Sequence, residues 1–229
     1  VHGLFEVIAQ EPLIVKGKRE PVQTYIVLRA RPRPFRAPMR GVEGIETRMV
    51  GRAAEMRALQ AALDSAVKES ATHWVTIVGD AGVGKSRLVY EFERWLEQQP
   101  TPVLLLKGRA LPETSAIPYS VLRDLFRPHF NILDSDDLAT PRQKFVDGMS
   151  PYLSSAQAQL VGQLVGFDFS DSPAVCSLAG SAALAGESLA ALNACFRRLS
   201  ANGPTVILLE DLHWADHASL DFIAHLPEE

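Results

Sequence analysis

Cysteine is scarce. Cys176 and Cys195 are the only two in 229 residues, too few for a disulfide framework, and neither has metal-ligand spacing around it. Both read as core thiols in a reducing cytosol. No apolar stretch approaches the roughly 18 residues that a membrane helix needs, and the start lacks a charged segment followed by an apolar core. The expectation is a cytoplasmic protein with no membrane contact. A net charge of −4 offers no surplus of positive charge for general nucleic-acid affinity. Internal repeats are absent, and residues 1–46 contain no aspartate.

What is present suits one substantial globular domain with an appendage, at 47% hydrophobic and 22% charged residues. Two β-rich runs, Leu4 to Ile8 and Thr24 to Leu28, enclose Leu13 to Val15 and the turn-prone Lys16, Gly17 and Lys18, which predicts a small hairpin over residues 1–28. Arg29, Arg31, Arg33, Arg36 and Arg40 then alternate with Pro32, Pro34 and Pro38. Such a stretch cannot continue a strand and favours a solvated linker over residues 29–46. The chain begins at Val1 and stops at Glu229 just after an amphipathic stretch, so it reads as an excised fragment.

The remainder, residues 47–229, carries the chemistry. Gly79, Asp80, Ala81, Gly82, Val83, Gly84, Lys85 and Ser86 match G-x-x-x-x-G-K-[ST] directly after the apolar run Trp74 to Val78, expected to be a strand, and before a helical pattern. A polyphosphate wrapped by backbone N–H groups needs glycine where a side chain would block its approach. Lys85 can reach the outer phosphates, Ser86 can ligate Mg²⁺, and the helix opening at Lys85 aims its positive end at the anion. A second element holds the metal: Thr205 to Leu209 run into Glu210 and Asp211, a buried-strand pattern ending in two acids where ligands bind in open α/β sheets. We assign Glu210 to the metal and Asp211 to the attacking water.

Helical periodicity marks Met56, Leu59, Leu63 and Val67, and then Leu88, Val89, Phe92, Trp95 and Leu96, with Trp95 as core. Val103 to Leu106 reads as a second strand. Residues 119–200 read as largely helical over Tyr119 to Phe126, Arg142 to Leu153, Gln157 to Val165 and Ala183 to Leu199, with Ser170 to Gly186 as a loop.

Three blocks carry a resemblance: Val50, Gly51, Arg52 and Glu55 before a helix; GDAGVGKSRL at 79–88; and LLEDLHWAD at 208–216. Together they resemble the signalling NTPases called STAND, in the branch found in LuxR-like regulators and cyclase-fused ATPases. The resemblance implies an α/β fold, a three-layer αβα P-loop NTPase with a mainly parallel sheet ordered 5-1-4-3-2. The fourth strand and its polar sensor residue are missing here. It also implies ATP with Mg²⁺, a slow switch, a ligand-binding loop that extends to Arg87, and partner domains and self-association in the parent protein. Arg52 is implied to lie against the base and sugar; by residue type alone it is an ordinary surface arginine. His213 and Trp214 form a packed turn or sense the phosphate state.

The amino-terminal segment resembles the last strands of a class III adenylate or guanylate cyclase domain, through His2, Gly3, Leu4, Phe5, Val15, Lys16, Gly17, Lys18 and Pro21 to Tyr25. In that family the first lysine of such a turn, here Lys16, reaches the substrate triphosphate. The metal-binding aspartates lie upstream in the family, so no cyclase activity is expected of this chain. Two rivals remain: a transport ATPase, which should show an LSGGQ-like signature that is absent, and a nucleotide-insensitive scaffold with a vestigial loop, against which the intact Lys85, Ser86, Glu210 and Asp211 argue.

Overall fold

The computed structural model describes residues 5–10, 12–13, 21–22, 24–30, 49–137 and 139–226. Two compact units divide the chain, residues 1–35 and 36–229. Lys16, Lys18, residues 31–46 of the Arg/Pro segment, and His2 to Leu4 lie outside the described residues.

In the first unit β1 (Phe5–Ala9) pairs antiparallel with β2 (Tyr25–Ala30), with a register shift between Glu6 and Val7. The ribbon continues through Gln10 N–H to the Thr24 carbonyl (2.9 Å) and through a reciprocal Leu13–Val22 pair. The hairpin expected from the two β-rich runs is therefore formed. Ile8, Leu13, Tyr25 and Ile26 are exposed.

The second unit is built on a parallel pair, β3 (Leu104–Arg109) and β4 (Thr205–Glu210), in register from Leu104 opposite Thr205 to Arg109 opposite Glu210. Alternation along the strands assigns their two faces. Leu105 and Val206 meet one cluster, formed by Leu59 of α1 (Ala53–Glu69) and Leu88, Phe92 and Leu96 of α2 (Lys85–Leu96). Leu104, Leu106, Ile207 and Leu209 face the other, larger cluster. This is filled by α3 (Ser120–His129), α4 (Thr140–Met149), α5 (Ser155–Leu164), the single turn α6 (Pro173–Cys176), α7 (Ala182–Ala201) and α8 (His217–His225). Helices on both faces of a parallel pair make an α/β arrangement. Its adjacent strands are the second and the acid-bearing ones expected from the sequence.

Local chemistry explains several boundaries. Ser154 and Gln157 form a reciprocal capping box that starts α5. Gly108 lets α3 approach β3 closely, because a Cβ there would lie 2.9 Å from the Val121 carbonyl oxygen and 3.3 Å from the Leu125 nitrogen. Trp95 is half-buried and stacks on Phe92 with centroids 5.6 Å apart.

Three expectations are corrected. Trp74 to Val78 is not a strand: residues 71–80 carry no strand pairing, and Trp74, Val75 and Val78 are exposed, Val78 at 86%. An apolar run becomes a sheet strand only with ladder partners, and Trp74 to Val78 has none among the described residues; of the run, Ile77 packs on the α1–α2 cluster. The Ser170 to Gly186 stretch is not all loop, since it contains α6, capped by the Ser172 hydroxyl, and the start of α7. Of the two thiols, Cys195 is core, pushed up to about 12 by burial, whereas Cys176 is exposed.

Candidate functional site

The loop before α2 is shaped by glycine. Gly82 and Gly84 hold φ of +83° and +92°, a region open to glycine at no steric cost, and Gly84 is the N-cap of α2 without a side-chain cap bond. The first-turn N–H groups of α2 therefore have no capping side chain, the arrangement that receives an anion. Lys85 folds back over the loop, its Nζ donating to the carbonyls of Gly79 (2.6 Å) and Asp80 (2.8 Å). Its ammonium thus lies on the inner wall of the turn. Asp80, Ala81, Val83 and Ser86 are exposed around it.

Arg52 is the N-cap residue of α1 and reaches this loop from outside. One guanidinium nitrogen donates to the Val83 carbonyl (2.8 Å) and another to Glu55 Oε1 (2.6 Å). That hydrogen bond from Arg52 holds the Glu55 carboxyl below its ordinary range. Arg52 thus braces the Gly79 to Ser86 loop through the Val83 carbonyl, a contact that the sequence alone did not indicate. Arg87 is engaged one turn along α2, paired with Glu91 and lying 5.2 Å from the Tyr90 ring centroid.

Glu210 ends β4, and Asp211 follows with φ of +56°. That left-handed conformation is uncommon outside glycine and tolerated by aspartate. It turns the chain into a short 3-10 turn, Leu212–Trp214, closed by Trp214 N–H on the Asp211 carbonyl (2.9 Å). His213 and Trp214 have ring centroids 5.1 Å apart, with Trp214 exposed at 44%. Arg109, the register partner of Glu210, places its Nε 3.0 Å from Asp211 Oδ2 and 3.8 Å from Glu210 Oε2. On the same strand face Lys107 pairs with Glu93 of α2 at 2.5 Å, largely buried, and so fastens the helix that opens at the loop to the sheet that ends in the acids. Burial raises the Glu93 carboxyl, Lys107 opposes the rise, and the charge of Glu210 adds to it. Glu210 and the middle of α2 are therefore close enough to interact electrostatically.

Sequence reasoning missed the role of Asp216. Its buried carboxylate accepts from Tyr119 N–H (2.9 Å), Ser120 N–H (3.1 Å) and the Ser120 hydroxyl (3.1 Å) at the start of α3. It also accepts from Ser219 N–H (2.8 Å) and the Ser219 hydroxyl (2.7 Å) at the start of α8. One side chain caps two helices. Burial would raise Asp216, but the bonds from Ser219, Tyr119 and Ser120 together outweigh it and hold the carboxyl below the usual range. An Asp at N-cap spacing before His217 signals only the second of these caps; the first, to α3, spans 96 residues and no local pattern encodes it.

The donor set is hard oxygen: the Ser86 hydroxyl at the start of α2 and carboxylates at the tip of β4. No group of three or more His, Cys, Asp or Glu placed to hold a metal by itself occurs among the described residues. Mg²⁺ that keeps waters and shares ligands with a nucleotide needs only one or two protein carboxylates, so these residues fit it.

A family model described as AAA ATPase domain matches residues 48–229. The chain is a member of the AAA ATPase domain family. That membership carries nucleotide binding and ATPase activity as the family's property, with ATP and Mg²⁺ as its general cofactors, and an α/β P-loop fold consistent with the helices and parallel pair described above. No curated protein and no solved structure gave a significant match to the chain. Among the described residues, no helix of this AAA ATPase domain is long and apolar enough to cross a membrane.

Proposed function

We propose that the chain is the ATP-binding, slowly hydrolysing switch module of a cytoplasmic signalling protein of the STAND type, in the cyclase-fused or LuxR-like branch. The observation that carries the nucleotide-binding part of this reading is the placement of Lys85 against the carbonyls of Gly79 and Asp80 at the opening of α2, on the sheet face where Lys107 and Glu93 join that helix to β3; the resemblance of the three sequence blocks supports the STAND part. A polyphosphate entering the turn would take Lys85 from those carbonyls, leaving the loop's N–H groups and the helix end to hold the anion. Lys85, Ser86, Glu210 and Asp211 are assigned to phosphate, metal, metal and water respectively, and Arg52 to bracing the loop that the nucleotide fills. Gly79 to Ser86 supply the cradle, with Arg87 as its outer edge. Residues 1–28 are assigned as the end of a cyclase domain.

Separating binding from turnover tests the assignment. Asp211→Asn is expected to leave nucleotide binding intact and to slow hydrolysis, because a neutral amide orients and accepts from water poorly, a loss of about 10²-fold or more. Glu210→Gln is expected instead to raise the Mg²⁺ concentration needed. Single-turnover hydrolysis across an Mg²⁺ series on the full-length protein distinguishes them, and identical behaviour of the two variants contradicts the division of roles.

A further inference from the structure

We propose that Arg109 is an internal counter-cation of the acid pair, holding Asp211 and Glu210 when no metal–nucleotide is bound and setting the threshold that the metal must overcome to engage them. The inference rests on the assignment of Glu210 and Asp211 given under Proposed function. Arg109 closes β3 opposite Glu210 in the parallel register, so its side chain rises beside the acids by strand geometry rather than by chance contact. Its backbone is fixed at that place: Arg109 N–H donates to Asp124 Oδ2 at 2.7 Å, and the next residue, Ala110, donates to the Glu210 carbonyl at 3.0 Å. Its Nε then faces both carboxylates, 3.0 Å from Asp211 and 3.8 Å from Glu210.

Asp211 pays a backbone cost to present that carboxylate, with φ of +56°. A guanidinium on Asp211 Oδ2 occupies an oxygen that a water must reach, and its charge opposes a divalent cation approaching Glu210. Metal engagement and the Arg109 contact therefore compete for the same two side chains. The pair is partly exposed, Arg109 and Asp211 at 46% and 45%, so the competition is modest, at about fivefold in apparent metal affinity.

The test uses Mn²⁺ as a spin probe on the full-length protein with a non-hydrolysable ATP analogue. Arg109→Gln is expected to tighten Mn²⁺ about fivefold, Arg109→Lys to fall between it and wild type, and the effect of Arg109→Gln to shrink in an Asp211→Asn background, where only the contact with Glu210 remains. Analogue affinity in EDTA is expected to be the same in wild type and Arg109→Gln. Unchanged or weakened Mn²⁺ binding in Arg109→Gln, with the analogue still bound in EDTA, overturns the proposal while leaving the nucleotide site intact. Failure of wild type to bind the analogue either with Mn²⁺ or in EDTA overturns the site assignment itself. The exposure of Arg109 means that neither substitution removes core packing; should Arg109→Gln unfold, Arg109→Lys alone must still shift Mn²⁺ affinity in the same direction, and no shift overturns the proposal.

Discussion

Single residues decide how closely the elements meet. Gly108 is the clearest case, because its Cβ position is filled by the backbone of α3, not by a movable side chain. Gly108→Ala forces α3 away from β3 or strains both, and is expected to cost about 1–3 kcal/mol. A thermal melt that shows a Tm unchanged from wild type contradicts the packing described. The same approach fixes Arg109 through Asp124, whose half-buried carboxyl accepts the Arg109 N–H. Burial raises the Asp124 carboxyl, and that bond opposes the rise. The loop from Gly79 to Ser86 and the acids Glu210 and Asp211 could be named as candidates residue by residue, because phosphate and metal chemistry demand particular atoms at fixed spacing; their roles are the proposal made above. The positions of Arg109 and Arg52 were not, since an arginine at a strand end or before a helix has the same residue type whether it braces a loop or faces solvent.

At the scale of elements, Asp216 couples the turn after β4 to α3 and α8. Replacing it with alanine leaves the opening N–H groups of two helices without their acceptor and is expected to cost about 2–4 kcal/mol. Asp216→Asn restores the shape but points an amide N–H at donors, so it recovers only part. The folded carboxyl lies below its ordinary value, so the stabilisation is full above the unfolded aspartate value of about 4 and is lost as pH falls through the lowered native one. Denaturant titrations at neutral and acid pH are expected to show the gap between wild type and Asp216→Asn closing as the pH falls below about 4. A gap that stays constant contradicts the charge-assisted cap. The helices themselves were mostly readable, because apolar residues recurred at helical spacing through Leu88, Val89, Phe92 and Leu96, all buried. The run Trp74 to Val78 misled because apolar content alone does not say whether a neighbouring strand exists to pair with it. The single turn α6 was hidden for the opposite reason: four residues, Pro173–Cys176, are too few to carry a helical period.

For the molecule as a whole, the buried-strand pattern of Thr205 to Leu209 implied cover on both faces of the sheet, which the two clusters across β3 and β4 supply. How many helices fill the larger one depends on contacts far apart in sequence. The two-stranded hairpin of the first unit is described by itself, and its likeness to the end of a cyclase domain remains a proposal carried by residue identity. Membership of the AAA ATPase domain family fixes the class of chemistry; the central claim is that the Gly79 to Ser86 loop performs it in this chain. Isothermal titration of Mg-ATP into the full-length protein and its Lys85→Ala variant tests that claim most directly. Loss of the lysine leaves phosphate charge without its partner, at about 2–5 kcal/mol, so the account predicts an affinity weaker by about 30-fold or more in the variant. Equal affinities in the two proteins would contradict it.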